Sequence, residues 1–211
     1  MDGVVLSGSK TRLLKYVRLL RYRYFPSNPH IHPIQNLLKG FGAYLSALHN
    51  IRNLELDNIS FERINAEELR TCFSAFRETL TDLTLALFAT SFDVFVTLIG
   101  YLPNITALRL GPFVVKPDEG PVPQLSRTLR GKIHLFGSYL GCAEFFNRLA
   151  KLNPEYEELG LENDVGRGLL NSILQLSANT VKYLRLAVNF QREYPYNTPS
   201  LLHITTRILT F

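Results

Sequence analysis

The chain has 211 residues, is 46% hydrophobic and 19% charged, and carries a net charge of +5. That composition excludes a disordered or collagen-like chain and is long enough to bury one sizeable core. Two cysteines, Cys72 and Cys142, are too few for a disulfide framework and read as reduced, buried thiols of a cytoplasmic or nuclear protein.

Residues 1–12 read as a flexible tail. Gly3 to Thr11 carries part of a phosphate-loop pattern. Ser9 separates Gly8 from Lys10, however, and the motif needs Lys directly after Gly to reach the phosphates. Val4, Val5 and Leu6 are too short a run for a signal-peptide core. Eight basic residues, from Lys10 to Arg52, face one acid, Asp2, before Glu55, so a basic head precedes a nearly neutral body. Arg12, Lys15, Arg18 and Arg21 recur every third residue among Leu13, Leu14, Val17 and Leu20. As a helix this segment suits an organelle address or an anionic membrane surface. As an arm it suits nucleic acid. As a strand it turns Val17, Leu20 and Tyr22 inward and Leu19, Arg21 and Arg23 outward, which Tyr16, Tyr22, Tyr24 and Phe25 favour. His30 and His32 would share a face of an extended segment, but nothing near them completes a four-ligand shell, so no metal is expected. Ile34 to Leu48 fits a helix.

From Ile51 a six-residue pattern, apolar-x-x-Leu-x-Leu, recurs about every 25 residues. It stands at Ile51–Leu56, Leu80–Leu85, Ile105–Leu110, Tyr156–Leu161 and Val181–Leu186. Leu129, Ile133 and Leu135 repeat it with one residue of slippage, and Val17–Tyr22 gives a looser first copy. Leu-x-Leu is strand alternation. Between strands the period changes to that of helices. Asn65 with Glu68 forms a capping box ahead of Leu69, Cys72, Phe73 and Phe76. Ser91 caps a helix carrying Phe92, Phe95, Val96 and Ile99. Cys142 to Leu152 is amphipathic through Phe145, Phe146 and Leu149, and residues 166–177 fit a further helix. Pro112, Pro117, Pro121 and Pro123 predict a loop over about 112–124. Asp93 interrupts the apolar stretch Leu83–Leu102, so no transmembrane segment is expected. Asn58 and Asn104 stand in glycosylation-acceptor patterns. Pro199 to Phe211 begins a last strand-like run.

A repeat of this period predicts an α/β solenoid, with parallel strands on a concave face and helices or loops on the convex one. Residues 13–211 form its single domain, of about six to seven irregular repeats with an incomplete C-terminal end. The segments Leu48–Leu56, Leu102–Leu110 and Leu129–Leu135 resemble leucine-rich repeats of the longer, ribonuclease-inhibitor-like type, and in particular the repeat region of fungal F-box-like proteins. The resemblance implies a horseshoe and a substrate-recognition role. No helical F-box segment fits ahead of Leu13. The family's turn asparagine has a counterpart in Asn189 and substitutes in Asp164 and Ser138. Ile59, Phe88 and Phe113 stand in its place elsewhere, so those turns must satisfy their backbone differently.

The strand residues between the leucines would line the concave face: Arg21 and Arg23; Asn53, Glu55 and Asp57; Asp82 and Thr84; Arg109; His134 and Phe136; Glu158 and Glu162; Tyr183 and Arg185. Their signs alternate, and a phosphate backbone wants a continuous positive track, which disfavours nucleic acid. A mixed surface with Phe136 and Tyr183 suits an unidentified protein partner. Glu55, Asp57, Glu158 and Glu162 would meet its basic groups, and Arg109 and Arg185 its carboxylates. His49, His134 and His203 lie beside no nucleophile motif, so neither catalysis nor a cofactor is expected. The sequence leaves the oligomeric state open.

Overall fold

The computed structural model describes residues 19–23, 32–33, 50–62, 64–116, 120–125, 127–137, 142–162, 172–173, 176, 180–190 and 200–207, with the side chains of 22–23, 32–33, 187–190 and 200–207 left aside. The tail, the phosphate-loop-like segment, the 34–48 helix, His30, the side chain of His32 and most of 166–177 lie outside these residues.

The fold is α/β. In chain order its strands are β1 (Leu19–Arg23), β2 (His32–Pro33), β3 (Asn53–Asp57), β4 (Ile59–Ser60), β5 (Asp82–Ala86), β6 (Phe88–Ser91), β7 (Ala107–Leu110), β8 (Phe113–Lys116), β9 (Arg130–Phe136), β10 (Glu155–Glu162), β11 (Tyr183–Phe190) and β12 (Ser200–Arg207). Among the described residues three α-helices intervene: α1 (Ala66–Phe73), α2 (Phe92–Tyr101) and α3 (Ala143–Ala150). The large sheet runs β1-β3-β5-β7-β9-β10-β11-β12, and a small sheet runs β2-β4-β6-β8. All neighbours are parallel except β11 and β12. Parallel strands need a crossover of a dozen or more residues. Only residues 191–199 join Phe190 to Ser200, so β12 returns antiparallel.

The register joins equivalent leucines directly. Leu20, Leu54, Leu83, Leu108, Ile133, Leu159 and Leu184 pair across seven strands, and Leu56, Leu85, Leu110, Leu135, Leu161 and Leu186 form the adjacent row. Leu54, Leu83, Leu108, Ile133 and Leu159 are buried, and Leu184 is half-buried. Side chains alternate along a strand, so this register places every x residue on the opposite face. Before the strands a second ladder forms: Thr81 N–H donates to Arg52 O, Thr106 N–H to Thr81 O and Lys132 N–H to Thr106 O, each at 2.8 Å.

The slippage at Leu129 does not disturb the register of Ile133 and Leu135 with Leu108 and Leu110. The β9–β10 register shifts between Tyr156 and Glu158, and Gly131 takes φ +97°. The residue left without a partner there is Glu157 on β10, and beyond it Ile133 and Leu135 stand in line with the leucines.

Ile59, Phe88 and Phe113 satisfy their turns by starting β4, β6 and β8. Asn58 N–H donates to Ala86 O at 2.9 Å and Phe88 N–H to Pro112 O at 3.3 Å. The Phe88 and Phe113 rings stack at 4.8 Å. The expected 112–124 loop is corrected accordingly. Pro112 and Pro117 flank Phe113–Lys116 rather than interrupt it, so these four residues keep their ladder hydrogen bonds as β8.

The core lies behind the leucine rows. Asn65 and Glu68 form the capping box of α1, with Glu68 N–H donating to Asn65 Oδ1 at 2.8 Å and Asn65 N–H to Glu68 Oε2 at 3.0 Å. Val94 N–H donates to Ser91 Oγ at the start of α2. These helices bury Leu69, Cys72, Phe73, Phe92, Phe95, Val96, Leu98 and Ile99, and α3 adds Phe145, Phe146 and Leu149. Phe145 sits edge-on to Phe92, Phe95, Phe113 and Phe146, with centroids 4.8–5.4 Å away. Each such pair adds about 0.5–1.5 kcal/mol beyond its buried area. Arg127 donates to the carbonyls of Ile99 and Leu102 at the end of α2. Both cysteines are buried and outside any disulfide, and burial pushes the Cys72 thiol up to about 12. Among the described residues no helix is long and apolar enough to cross a membrane.

Candidate functional site on the polar face of the large sheet

The face opposite the leucines is built by register. Asn53, Asp82, Ala107, Lys132, Glu158 and Tyr183 align in one row. Arg21, Glu55, Thr84, Arg109, His134, Gly160 and Arg185 align in the next. Beyond them Arg23 pairs with Asp57, and Phe136 with Glu162. The side chain of Arg23 lies outside the described residues. Of the other thirteen residues expected on this face, all but Asn53 line two open grooves. One, of about 450 Å³, is bounded by Arg21, Glu55, Asp57, Phe136 and Glu162. The other, of about 500 Å³, is bounded by Asp82, Lys132, Glu158 and Tyr183. Arg109, His134 and Arg185 line both.

Charge on this face is largely neutralised internally. Arg21 pairs with Glu55. Glu158 is a correction to the sequence expectation: only 5% of it is exposed, so it does not wait for a partner's basic groups. Its Oε1 receives Arg185 Nε at 2.6 Å and lies 3.2 Å from His134 Nε2, while Oε2 lies 3.2 Å from Lys132 Nζ. The physical reason is packing. Lys132 and Tyr183 flank Glu158 in its row, and the bases project toward it from β9 and β11.

The two titrating groups of this cluster are held apart. Burial works against ionising Glu158, but the Lys132 hydrogen bond and the charges of Lys132, Arg185 and His134 outweigh it and lower the carboxyl. Burial lowers His134 below the ordinary imidazole value. The pull of Glu158 opposes this without overcoming it, and the charges of Arg109 and Arg185 add to the lowering. The resting arrangement is therefore a carboxylate beside a neutral imidazole.

Gly160 makes this geometry fit. A Cβ there would stand 2.7 Å from His134 Nδ1 and 2.8 Å from Cγ, so the imidazole lies where a side chain on β10 would otherwise project. Sequence reasoning left out both Gly160 and Lys132. The signal for Gly160 was a glycine at the x position of a Leu-x-Leu strand, which marks close approach by a neighbour. Lys132 was hidden by the slippage, although alternation back from His134 places it on the same face.

Tyr183 is 41% exposed and Arg109 is exposed, while Phe136 is half-buried and Glu162 exposed. Neither groove is lined by a serine or cysteine that the His134–Glu158 pair could activate. Among the described residues no group of three or more His, Cys, Asp or Glu side chains is placed to hold a metal ion. This face presents a broad surface of fixed charges, hydrogen-bonding groups and two aromatic rings. No protein-family model, curated protein or solved structure matches the chain.

Proposed function

We propose that the chain is a leucine-rich-repeat solenoid, akin to the repeat region of F-box-like proteins, that binds another protein through the concave face of its large sheet. The observation that carries this reading is the register. Seven parallel strands place equivalent leucines in line, so the intervening residues make one contiguous surface rather than scattered sites. A rigid face of this kind is what repeat proteins use for recognition. Its composition favours protein over nucleic acid, because Glu55, Asp57, Asp82 and Glu162 interrupt any positive track. Tyr183 and Phe136 supply aromatic anchors of the kind that dominate interface energies.

The test is affinity capture with mass spectrometry, run with wild type, with Tyr183→Ala and Phe136→Ala, and with Arg70→Gln on the exposed side of α1. A protein captured by wild type and by Arg70→Gln but lost with either aromatic change supports the reading. A protein lost with Arg70→Gln and retained by both aromatic variants overturns it. Where the partner is in hand, truncating an anchor should weaken binding by about 1–3 kcal/mol while the fold survives.

A further inference from the structure

The strands of the large sheet carry five lysine or arginine side chains among the described residues: Arg21, Arg109, Arg130, Lys132 and Arg185. Four have acids at hand. Arg21 meets Glu55, Arg130 meets Glu155 at 2.8 Å, and Lys132 and Arg185 converge on Glu158. Arg109 makes no ion pair within the described residues. In its row it stands between Thr84 and His134. It lines both grooves of this face, so its side chain stands over the sheet. It also lies where the two grooves meet, with Tyr183 bounding one and Phe136 the other.

From this pattern we infer that Arg109 is the seat for a single carboxylate of a protein partner, presented on a segment whose flanking residues are basic or aromatic. The inference rests on the recognition role of this face and specifies its chemistry. A guanidinium with no internal acid offers a planar fork of donors, and a carboxylate fills that fork with two charge-assisted hydrogen bonds. The surroundings set what stands beside it. Asp82 bounds one groove, and Asp57 and Glu162 bound the other, so a second or third anion on the partner would meet like charge. A nucleic-acid strand, with a phosphate at every step, is disfavoured by the same three carboxylates. A lone acid between basic or aromatic groups complements all of them, because basic ends approach Asp57, Asp82 and Glu162 while aromatic flanks reach Tyr183 and Phe136.

The probe is a fluorescein-labelled short peptide with a central glutamate, a tyrosine on each side and a lysine at each end. Two companions carry glutamine or lysine at the centre, and oligothymidylate serves as the nucleic-acid control. Binding is read by anisotropy on the full chain. Wild type should prefer the glutamate peptide to the glutamine peptide by about tenfold, the worth of one charge-assisted pair. Arg109→Gln should abolish that preference, Arg109→Lys should keep part of it, and Arg70→Gln, which removes the same charge elsewhere, should keep all of it. Unchanged thermal melts exclude unfolding, since Arg109 is exposed. The inference is overturned if wild type does not separate glutamate from glutamine, if Arg70→Gln erases the preference as fully as Arg109→Gln, or if oligothymidylate binds more tightly than the glutamate peptide. Should that happen while a captured protein is still lost with Tyr183→Ala, the carboxylate seat alone is wrong and the recognition face stands.

Discussion

Gly131 offers the sharpest test of how the strands are held in line. It takes φ +97°, a region that costs a residue with a side chain about 1–3 kcal/mol. The space is closed as well: a Cβ there would stand 2.1 Å from the carbonyl oxygen of Thr106, against a normal carbon–oxygen contact of roughly 3.3 Å. That neighbour is backbone, so relief requires the start of β9 to move by about 1 Å. The movement lengthens the 2.8 Å bond from Lys132 N–H to Thr106 O, a bond worth about 1 kcal/mol. Gly131→Ala should therefore cost about 2–4 kcal/mol, or on the order of 10 °C in Tm for a chain of this size. Gly160→Ala is the control. Its Cβ would be nearly as crowded, 2.7 Å from His134 Nδ1, but it meets a side chain that can turn aside at the loss of one polar contact, about 0.5–1.5 kcal/mol. Urea unfolding of both variants, with unchanged slope, reads the difference directly. A loss below about 1 kcal/mol for Gly131→Ala, or one no larger than that for Gly160→Ala, would refute the role assigned to Gly131.

Three further outcomes follow from the same geometry. Leu108, packed in register between Leu83 and Ile133 and 3% exposed, should cost about 2–5 kcal/mol on truncation to Ala, and half-buried Leu184 should cost less by the same urea assay. Leu87 holds φ +46° while 53% exposed, so Leu87→Asn relieves backbone strain without giving up burial and should raise stability by about 0.5–1 kcal/mol. Acid should act in two steps. His134 has a lowered folded pKa, so its contribution is complete above the unfolded value of 6.5 and is lost as pH falls below it; the lowered Glu158 follows as pH falls below its own unfolded value of 4.5. His134→Gln should flatten the fall in urea midpoint between pH 7.5 and 5.5, and an unchanged fall would exclude His134 as its source.

The strands were legible in the sequence because their pattern is forced. A strand buried on one side must place its leucines two apart, and parallel in-register pairing repeats that requirement at every neighbour. Three helix positions were legible for a local reason: Asn65 and Ser91 present capping oxygens to N–H groups three residues on, and Cys142–Leu152 carries its apolar residues on one stripe. The small sheet was not legible. Ile59–Ser60 has two residues, and Phe113–Lys116 lies between prolines. Segments this short carry no periodicity and are fixed by the neighbours they pair with. The antiparallel return of β12 was hidden in the same way, since its direction depends on the length of a connection and not on its own residues.

The face of the large sheet was legible in position but not in state. Alternation told which residues share it, because it depends only on parity along the chain. Which of them remain available depends on neighbours two strands away. Glu158 and Glu162 are equivalent by parity, yet one is buried under three bases and the other is exposed. Arg109 and Arg185 are equivalent in the same sense, yet Arg185 is held by Glu158 and Arg109 meets no acid among the described residues. The difference traces to β10, the strand that carries both Glu158 and Gly160. Gly160 makes room for His134, and Glu158 gathers Lys132, His134 and Arg185 around itself. Among the described residues, cation pairing is satisfied on the β9–β11 side and left open at β7. Recognition should therefore centre on Arg109 rather than spread evenly over the charged rows. Substitutions within the Glu158 cluster should change stability before they change affinity, whereas substitutions at Arg109 should do the reverse.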